Sequence, residues 1–351
     1  MPQILIVADD LTGSLDSAVR FVRAGRRVMV ARNLADMALC ISQGADVISV
    51  NTASRQGSAL AAVRTVEALV DFIDLQSVPL IMKKVDSRLK GHPGAEGRAL
   101  ARLAGHDEIV AAPALPRMGR LQSGGELTGT GIETAIDIRQ RLGNGMVVPD
   151  VANENDLDVL VANAVTRGST LWLGASDLAS ALARAEFGEE TVAPPTIAGP
   201  LAMMIGSRDP ITVAQVDELL RCGVQVHRAP NGVIGLIECS SKTCVVAISA
   251  GREASTEVEA GARFAAGAAR ILQEMEPKTL LCSGGETAHA ILSLLGVDCM
   301  ELLGEIAPGL PCCRISSPWG EVYLITKSGG FGHSQMLAEL AMSVLMTEKR
   351  V

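Results

Sequence analysis

Short apolar runs recur along this chain, and each is followed by a small polar turn and then a stretch of helical periodicity. In the first half the runs are "ILIVA" (4–8), "RVMVA" (27–31), "ADVISVNT" (45–52), "PLIMKKVDS" (79–87) and "EIVAAPA" (108–114). Strands that are apolar on both faces and separated by helices pack as a mostly parallel sheet covered on both sides. The periodicity predicts helices over 14–24 and 56–72. Residues 113–150 are rich in Gly and turn residues, and read as loops and short strands over the strand ends, where such sheets bind ligands. A strand at 169–174 and a helix to about 185 complete this half.

The alternation restarts after "FGEETVAPPTIAGP" (187–200), which carries the one Pro-Pro pair and reads as a linker. Strands are expected at 201–207, 243–250, 279–285 and 321–330, with helices at 210–221, 253–275, 286–295 and 333–348. A chain of 351 residues exceeds one typical core. Two domains, 1–192 and 199–351, are therefore expected. The expected class is α/β, each domain a mostly parallel β-sheet flanked by helices, with the active site in the interdomain cleft.

Composition excludes several function classes. Hydrophobic residues make up 48% and charged ones 20%, a globular balance. Aromatics at 2% and a net charge of -8 both oppose nucleic-acid binding, which uses stacking platforms and cations. No apolar run approaches the roughly 18 residues of a membrane span. The start "MPQILIVADD" lacks a basic region and a cleavage site, and the eight Cys are scattered without a C-x-x-C pair. A cytoplasmic protein with free thiols is expected, the adjacent Cys312 and Cys313 included. The five His lie far apart, so no zinc site or other protein-ligated metal is expected.

The first strand runs into Asp9 and Asp10, followed by Thr12, Gly13 and Ser14. Adjacent carboxylates at a strand end repel each other and lose solvation, so something cationic must hold them there. Asp10 with Thr12 and Gly13 suits a helix cap, but two acids exceed what a cap requires. At another strand end, "KKVDSRLKGHPGAE" (83–96) packs Lys83, Lys84, Asp86, Ser87, Arg88 and Lys90 into eight positions. A charge run is often a solvated face. Here it sits where its cations can offset the acids and grip a carboxylate. "PALPRMGR" (113–120) adds Arg117 and Arg120. A phosphatase with an Asp nucleophile would want D-x-D-x-T, and these acids are contiguous.

The second half carries three strand-to-helix turns, "IGSRDPIT" (205–212), "CSGGETAHAIL" (282–292) and "TKSGGFGHS" (326–334). Helix N-termini offer unpaired N–H groups and a positive dipole end to phosphates, and Gly lets the backbone approach. Lys327 could add a point charge. No G-K-[ST] makes a Walker A loop, and no G-x-G-x-x-G follows the first strand, which argues against a nicotinamide-dependent oxidoreductase. His289 and His333 are given no role.

Taken in order, "ILIVADDLTGSLDSA", "KKVDSRLKG", "APALPRMGR", "SGGETA" and "KSGGFG" resemble the motifs of the four-carbon acid sugar kinases, a family long catalogued as a domain of unknown function. The resemblance spans nearly the whole chain. It implies an N-terminal acid-sugar-binding domain, a C-terminal nucleotide-binding domain, and an ATP-dependent kinase of tetronates or their 3-oxo relatives. It places Asp9, Asp10, Asp86, Ser87 and Arg120 on the sugar acid, with Arg88 standing where the family usually has a small hydroxyl residue. Ser207, Gly284, Gly285, Glu286, Thr287, Gly330 and Gly332 would face ATP, with Lys327 and Gly329 in the same turns. Asp10 or Asp86 is the expected base, Lys84 and Arg120 the expected carboxylate grip, and Mg²⁺ on the ATP phosphates is expected to meet Glu286 through water. The expected partner is the small acid, with a homodimer left open and no nucleic acid or membrane. The alternative is a sugar-acid or nucleotide sensor of the same fold without turnover.

Overall fold

The protein is described from a computed structural model, which covers residues 1–23, 25–164, 169–190, 192–237 and 243–347. The chain divides into two compact units, Met1–Val192 and Ala193–Val351.

In the first unit the apolar runs form β1 (Ile4–Ala8), β2 (Val28–Ala31), β3 (Val47–Asn51), β4 (Leu80–Lys84) and β5 (Glu108–Ala112). Three short strands follow, β6 (Arg120–Ser123), β7 (Glu126–Gly129) and β8 (Ile136–Asp137), and then β9 (Thr170–Gly174). The order β2-β3-β1-β4-β9-β5 is parallel throughout, with Ala8 of β1 level with Asn51 of β3 and with Lys84 of β4. The C-terminal ends of these three strands therefore sit side by side. β6, β7 and β8 form a separate antiparallel sheet within the Gly-rich stretch.

The helices here are α1 (Leu11–Ala18), α2 (Met37–Ser42), α3 (Ala59–Glu67), α4 (Pro93–Ala104), α5 (Ile138–Leu142), α6 (Glu154–Ala164) and α7 (Ser176–Phe187). α1 packs on β1, β2 and β3 and against α7, while α3 packs on α4, which contacts β4, β5 and β9. α1 starts at Leu11 rather than Ser14 because the Asp10 side chain accepts the Gly13 N–H at 3.0 Å and caps it. It ends at Ala18 and passes into a 3-10 turn at Val19–Phe21, so the helix expected to Arg23 and beyond is shorter. α6 was missed in sequence because its apolar face is narrow, with Leu157, Val161 and Ala164 alone buried.

The second unit contains β10 (Leu201–Ile205), β11 (Val226–Pro230), β12 (Thr243–Ser249), β13 (Thr279–Ser283), β14 (Cys299–Glu305), β15 (Pro311–Ser317) and β16 (Gly320–Lys327). Its helices are α8 (Pro210–Arg221), α9 (Glu257–Met275), α10 (Gly285–Leu294) and α11 (Met336–Thr347). The order is β11-β12-β10-β13-β16-β15-β14, parallel from β11 to β16 and antiparallel through β15 and β14. β14 alternates buried and half-buried residues, a period-2 pattern unlike the continuous apolar runs. With almost no aromatics, the core is aliphatic: Leu201, Met203, Ile205, Leu219, Leu281 and Ile325 are among its fully buried members.

Cys244 is disulfide-bonded, whereas Cys40, Cys222, Cys282, Cys299, Cys312 and Cys313 are free. This corrects the expectation of free thiols throughout, which rested on spacing; bridging depends on Cα separation, which spacing does not report. Among the described residues no helix is long and apolar enough to cross a membrane.

α4 is held close to α5 by a glycine. A Cβ at Gly94 would overlap the carbonyl oxygen of Leu142, and backbone cannot rotate aside. Gly94→Ala should cost about 2–3 kcal/mol of stability in chemical denaturation, the range of an overpacked core position. Unchanged stability would show that the α4–α5 contact yields freely.

Candidate functional site

The two acids at the end of β1 are held by Arg55, which follows β3. Its Nε donates to Asp9 Oδ2 at 3.0 Å, and its Nη2 donates to Asp9 Oδ1 and to Asp10 Oδ1, both at 2.8 Å. Nη1 stands 3.9 Å from Asp86 Oδ2, beyond β4. One guanidinium thus faces three carboxylates brought together by the parallel register of β3, β1 and β4. Burial alone would raise the pKa of Asp9, but the Arg55 hydrogen bonds and the charges of Lys83, Arg55 and Lys84 reverse this and leave it below its ordinary value. The same contacts act on Arg55 in the other sense: burial would depress it, and Asp9, Asp10 and Asp86 drive it upward.

Behind this cluster lies a closed buried pair. Lys83 and Glu96 are both buried, with Nζ 3.4 Å from Oε2, and Ser54 donates to the Glu96 Oε1 at 2.6 Å. The Ser54 hydroxyl in turn meets Thr52 at 2.8 Å. Lys83 Nζ makes no hydrogen bond among the described residues, so its buried charge rests on the ion pair with Glu96.

Asp9 is 2% exposed and both of its oxygens accept hydrogen bonds from Arg55. Asp10 caps α1, accepts Thr12 Oγ1 at 2.7 Å, and still has a side chain 22% exposed. Gly13 makes this possible, because a Cβ there would run into Asp10 Oδ1. Lys84 is buried beside the cluster and donates to Val85 O at 2.8 Å. Arg120 Nη1 donates to Ser87 Oγ at 2.5 Å and its Nε to Thr130 O at 2.8 Å. Burial and then the neighbouring Arg88 charge lower the Arg120 pKa, opposed by Asp86, so Arg88, Arg120, Ser87 and Asp86 form one group. Arg117 does not join it: its backbone and side chain bind the fully buried Asp177, with Nε to Oδ1 at 2.6 Å.

In the second unit the expected turns converge at the C-terminal ends of β10, β13 and β16. The N–H groups of Gly206 and Ser207 donate to Ser283 O at 3.0 and 3.1 Å, and Gly284 N–H donates to Lys327 O at 2.8 Å. Side chains are excluded where these turns cross. A Cβ at Gly206 would strike Thr287 Oγ1, and one at Gly329 would strike Ser207 Oγ. Gly284 has φ +106 and makes no side-chain cap, and Gly285, Glu286 and Thr287 open α10. Gly330 lies against Asp209, and Gly332 against Met336 and Gln215.

Lys327 is fully buried and its ammonium donates to Thr212 Oγ1 at 3.0 Å, Ser328 O at 3.0 Å and Gly329 O at 3.2 Å. Its three N–H bonds thus shape the turn. Thr212 Oγ1 also donates to Gly329 O at 2.7 Å, and Gln215 Nε2 donates to Phe331 O and His333 O. Sequence reasoning missed Arg55, Thr212 and Gln215. Of these, Arg55 left a signal, as the cation closing the hydroxyl-rich "NTASR" after a strand. Among the described residues no group of three or more His, Cys, Asp and Glu could hold a metal.

Comparison with known proteins follows the same division. A sugar-binding N-terminal domain model matches residues 4–134, and a nucleotide-binding C-terminal domain model matches residues 202–337. A D-threonate kinase of Cupriavidus necator is 29% identical, covering 99% of this chain and 98% of that one. The chain belongs to the four-carbon acid sugar kinase family. Other members similar to it include a Bordetella bronchiseptica D-threonate kinase, 27% identical with 98% of both chains covered. A Pseudomonas fluorescens 3-oxo-tetronate kinase is 24% identical over 97% of this chain and 98% of that one. The family fold is also seen in a solved Salmonella typhimurium protein, provisionally described as a tRNA synthase, at a TM-score of 0.76 and 20% identity over 97% of this chain and 99% of that one.

Burial lowers the Lys327 pKa to about 8, with Asp209 opposing. The folded-state value lies below the ordinary 10.5, so between the two the unfolded chain holds more protons and the contribution of Lys327 to stability rises with pH. The stability of the protein relative to Lys327→Met, from urea unfolding, should therefore increase from about pH 8 to about pH 10.5. A flat difference would mean that Lys327 keeps its ordinary pKa.

Proposed function

We propose that this chain is an ATP-dependent kinase that phosphorylates a hydroxyl of a four-carbon sugar acid, of the tetronate or 3-oxo-tetronate class. The observation that carries the reading is the group at the ends of β1 and β4: two partly exposed carboxylates, Asp10 and Asp86, beside Arg88, Arg120 and Ser87. A sugar acid needs both halves. Its carboxylate pairs with guanidinium, while its hydroxyls donate to carboxylate.

In this reading Arg120, Arg88 and Lys84 hold the acid's carboxylate. Asp10 or Asp86 orients the acceptor hydroxyl and takes its proton as the phosphoryl group arrives. The N–H groups opening α10 and the Ser207 turn receive ATP phosphates, which suits the open N-terminus of that helix. Phosphoryl transfer is driven by in-line positioning and charge neutralisation, so these fixed groups supply most of what the reaction needs. Mg²⁺ bound with ATP would neutralise phosphate charge. Glu286, an exposed carboxylate on the first turn of α10, fits contact through water.

The test is ADP release from Mg·ATP on a panel containing D-threonate, D-erythronate and a 3-oxo-tetronate. Release should depend on one of the acids. Asp10→Asn, which keeps a good helix cap, should then lower kcat by roughly 100-fold or more, with ATP affinity within about twofold. Acid binding without ADP release would identify a sensor instead, and an Asp10→Asn variant at wild-type kcat would pass the base to Asp86.

A further inference from the structure

Three polar side chains occupy core positions of the second unit. Thr212 and Gln215 on α8 and Lys327 at the end of β16 are all fully buried. Apolar residues of similar volume would fill the same space without the cost of desolvating an ammonium and an amide. Gln215 carries that cost plainly, because its Oε1 is buried with no partner among the described residues. What the three share is a target. Lys327 Nζ donates to Ser328 O and Gly329 O, Thr212 Oγ1 donates to Gly329 O, and Gln215 Nε2 donates to Phe331 O and His333 O. Four carbonyls of one Gly-rich turn are thus drawn toward the core. In a planar trans peptide the N–H of the next residue points the opposite way from the C=O. The N–H groups of Gly329, Gly330, Gly332 and Ser334 are thereby turned outward, and none of them donates to a described residue.

We propose that Lys327, Thr212 and Gln215 are positioning residues for the nucleotide: they hold the carbonyls of the 328–333 turn inward so that its N–H groups form a cradle for an ATP phosphate. This rests on the kinase reading above. Successive outward N–H groups make an anion-binding concavity, so the phosphate is received by backbone and the three side chains act through it. Holding is needed because the turn contains Gly329 and Gly330, and glycine peptides flip at little steric cost. A flipped peptide would present an oxygen to the phosphate in place of an N–H. The Gly329 carbonyl is pinned twice, by Lys327 and by Thr212, which fixes the N–H of Gly330 most firmly. An ammonium at the carbonyl end also polarises each peptide, which strengthens the N–H at the other end as a donor. That is a use for a buried cation which an apolar residue could not supply.

Variants that keep the core filled carry the test. Thr212→Val removes the hydroxyl with little change in shape, and Thr212→Ser retains it. Gln215→Leu replaces the amide and its unpartnered oxygen with apolar atoms. Urea unfolding follows stability, and calorimetry follows binding of Mg·ATP and of the panel acids to the full chain, alongside kcat and KM. Thr212→Val and Gln215→Leu should each bind ATP at least about tenfold more weakly, with acid affinity within about twofold, and KM for ATP should rise more than kcat falls. Thr212→Ser should stay within about threefold of wild type. Gln215→Leu should unfold at a urea midpoint no lower than that of the wild type, a result that a merely structural role would not give. Wild-type ATP affinity in both folded variants overturns the proposal. So does a Thr212→Ser variant as weak as Thr212→Val, because the hydroxyl would then not be what matters. If Thr212→Val does not fold, Gln215→Leu decides alone, and wild-type ATP affinity there overturns it. The kinase reading fails separately: a wild type that binds ATP but releases no ADP with any of the acids loses that reading, and the ATP affinities still test the cradle. A wild type that does not bind ATP overturns both.

Discussion

Three carboxylates converge at the ends of adjacent parallel strands, and the Arg55 guanidinium is what makes that arrangement tolerable. Without a cation, Asp9 would be a buried carboxylate whose charged form is penalised by lost solvation. With Arg55 bound through two of its nitrogens, Asp9 is instead held ionised below its ordinary range. Asp10 then caps α1 and keeps an open edge at the same time. The cluster is stiffened from beneath by Lys83, Glu96 and Ser54, whose mutual contacts leave no charge there without a partner. Rigidity of this kind is what a site needs if its work is to point a hydroxyl and a carboxylate in fixed directions.

The second unit solves a different problem. Its strand ends carry few charges, and its turns are shaped by what is missing: Gly206, Gly284 and Gly329 stand where any side chain would collide with Thr287 or Ser207, or where φ is positive. The one lysine in the turns is spent on holding the Ser328–Gly329 backbone to Thr212. Charge positions groups in the first unit, and compactness of backbone does so in the second. That contrast matches the demands of a small polyhydroxy acid and of a phosphate chain received by N–H groups.

Much of this was legible in the sequence, because its signals were local. Continuous apolar runs such as Ile4–Ala8 and Thr279–Ser283 became parallel strands, and Asp10 with Thr12 and Gly13 read correctly as a cap. What stayed hidden depended on long-range register. Arg55 lies 45 residues from Asp10, and only the alignment of Ala8 with Asn51 brings them together. β11, β14 and β15 carry polar or alternating residues, so they lacked the signature by which their neighbours were found.

The most direct measurement of the central claim is the titration of the Asp9 carboxyl by carbon NMR in protein labelled at Asp, in the wild type and in Arg55→Lys. In the wild type, Asp9 should remain ionised below the ordinary carboxylate range. In the lysine variant, its titration should move upward as the two-pronged grip is lost. An Asp9 that titrates normally or above normal in the wild type would contradict the account, because the acids would then be held together by something other than Arg55.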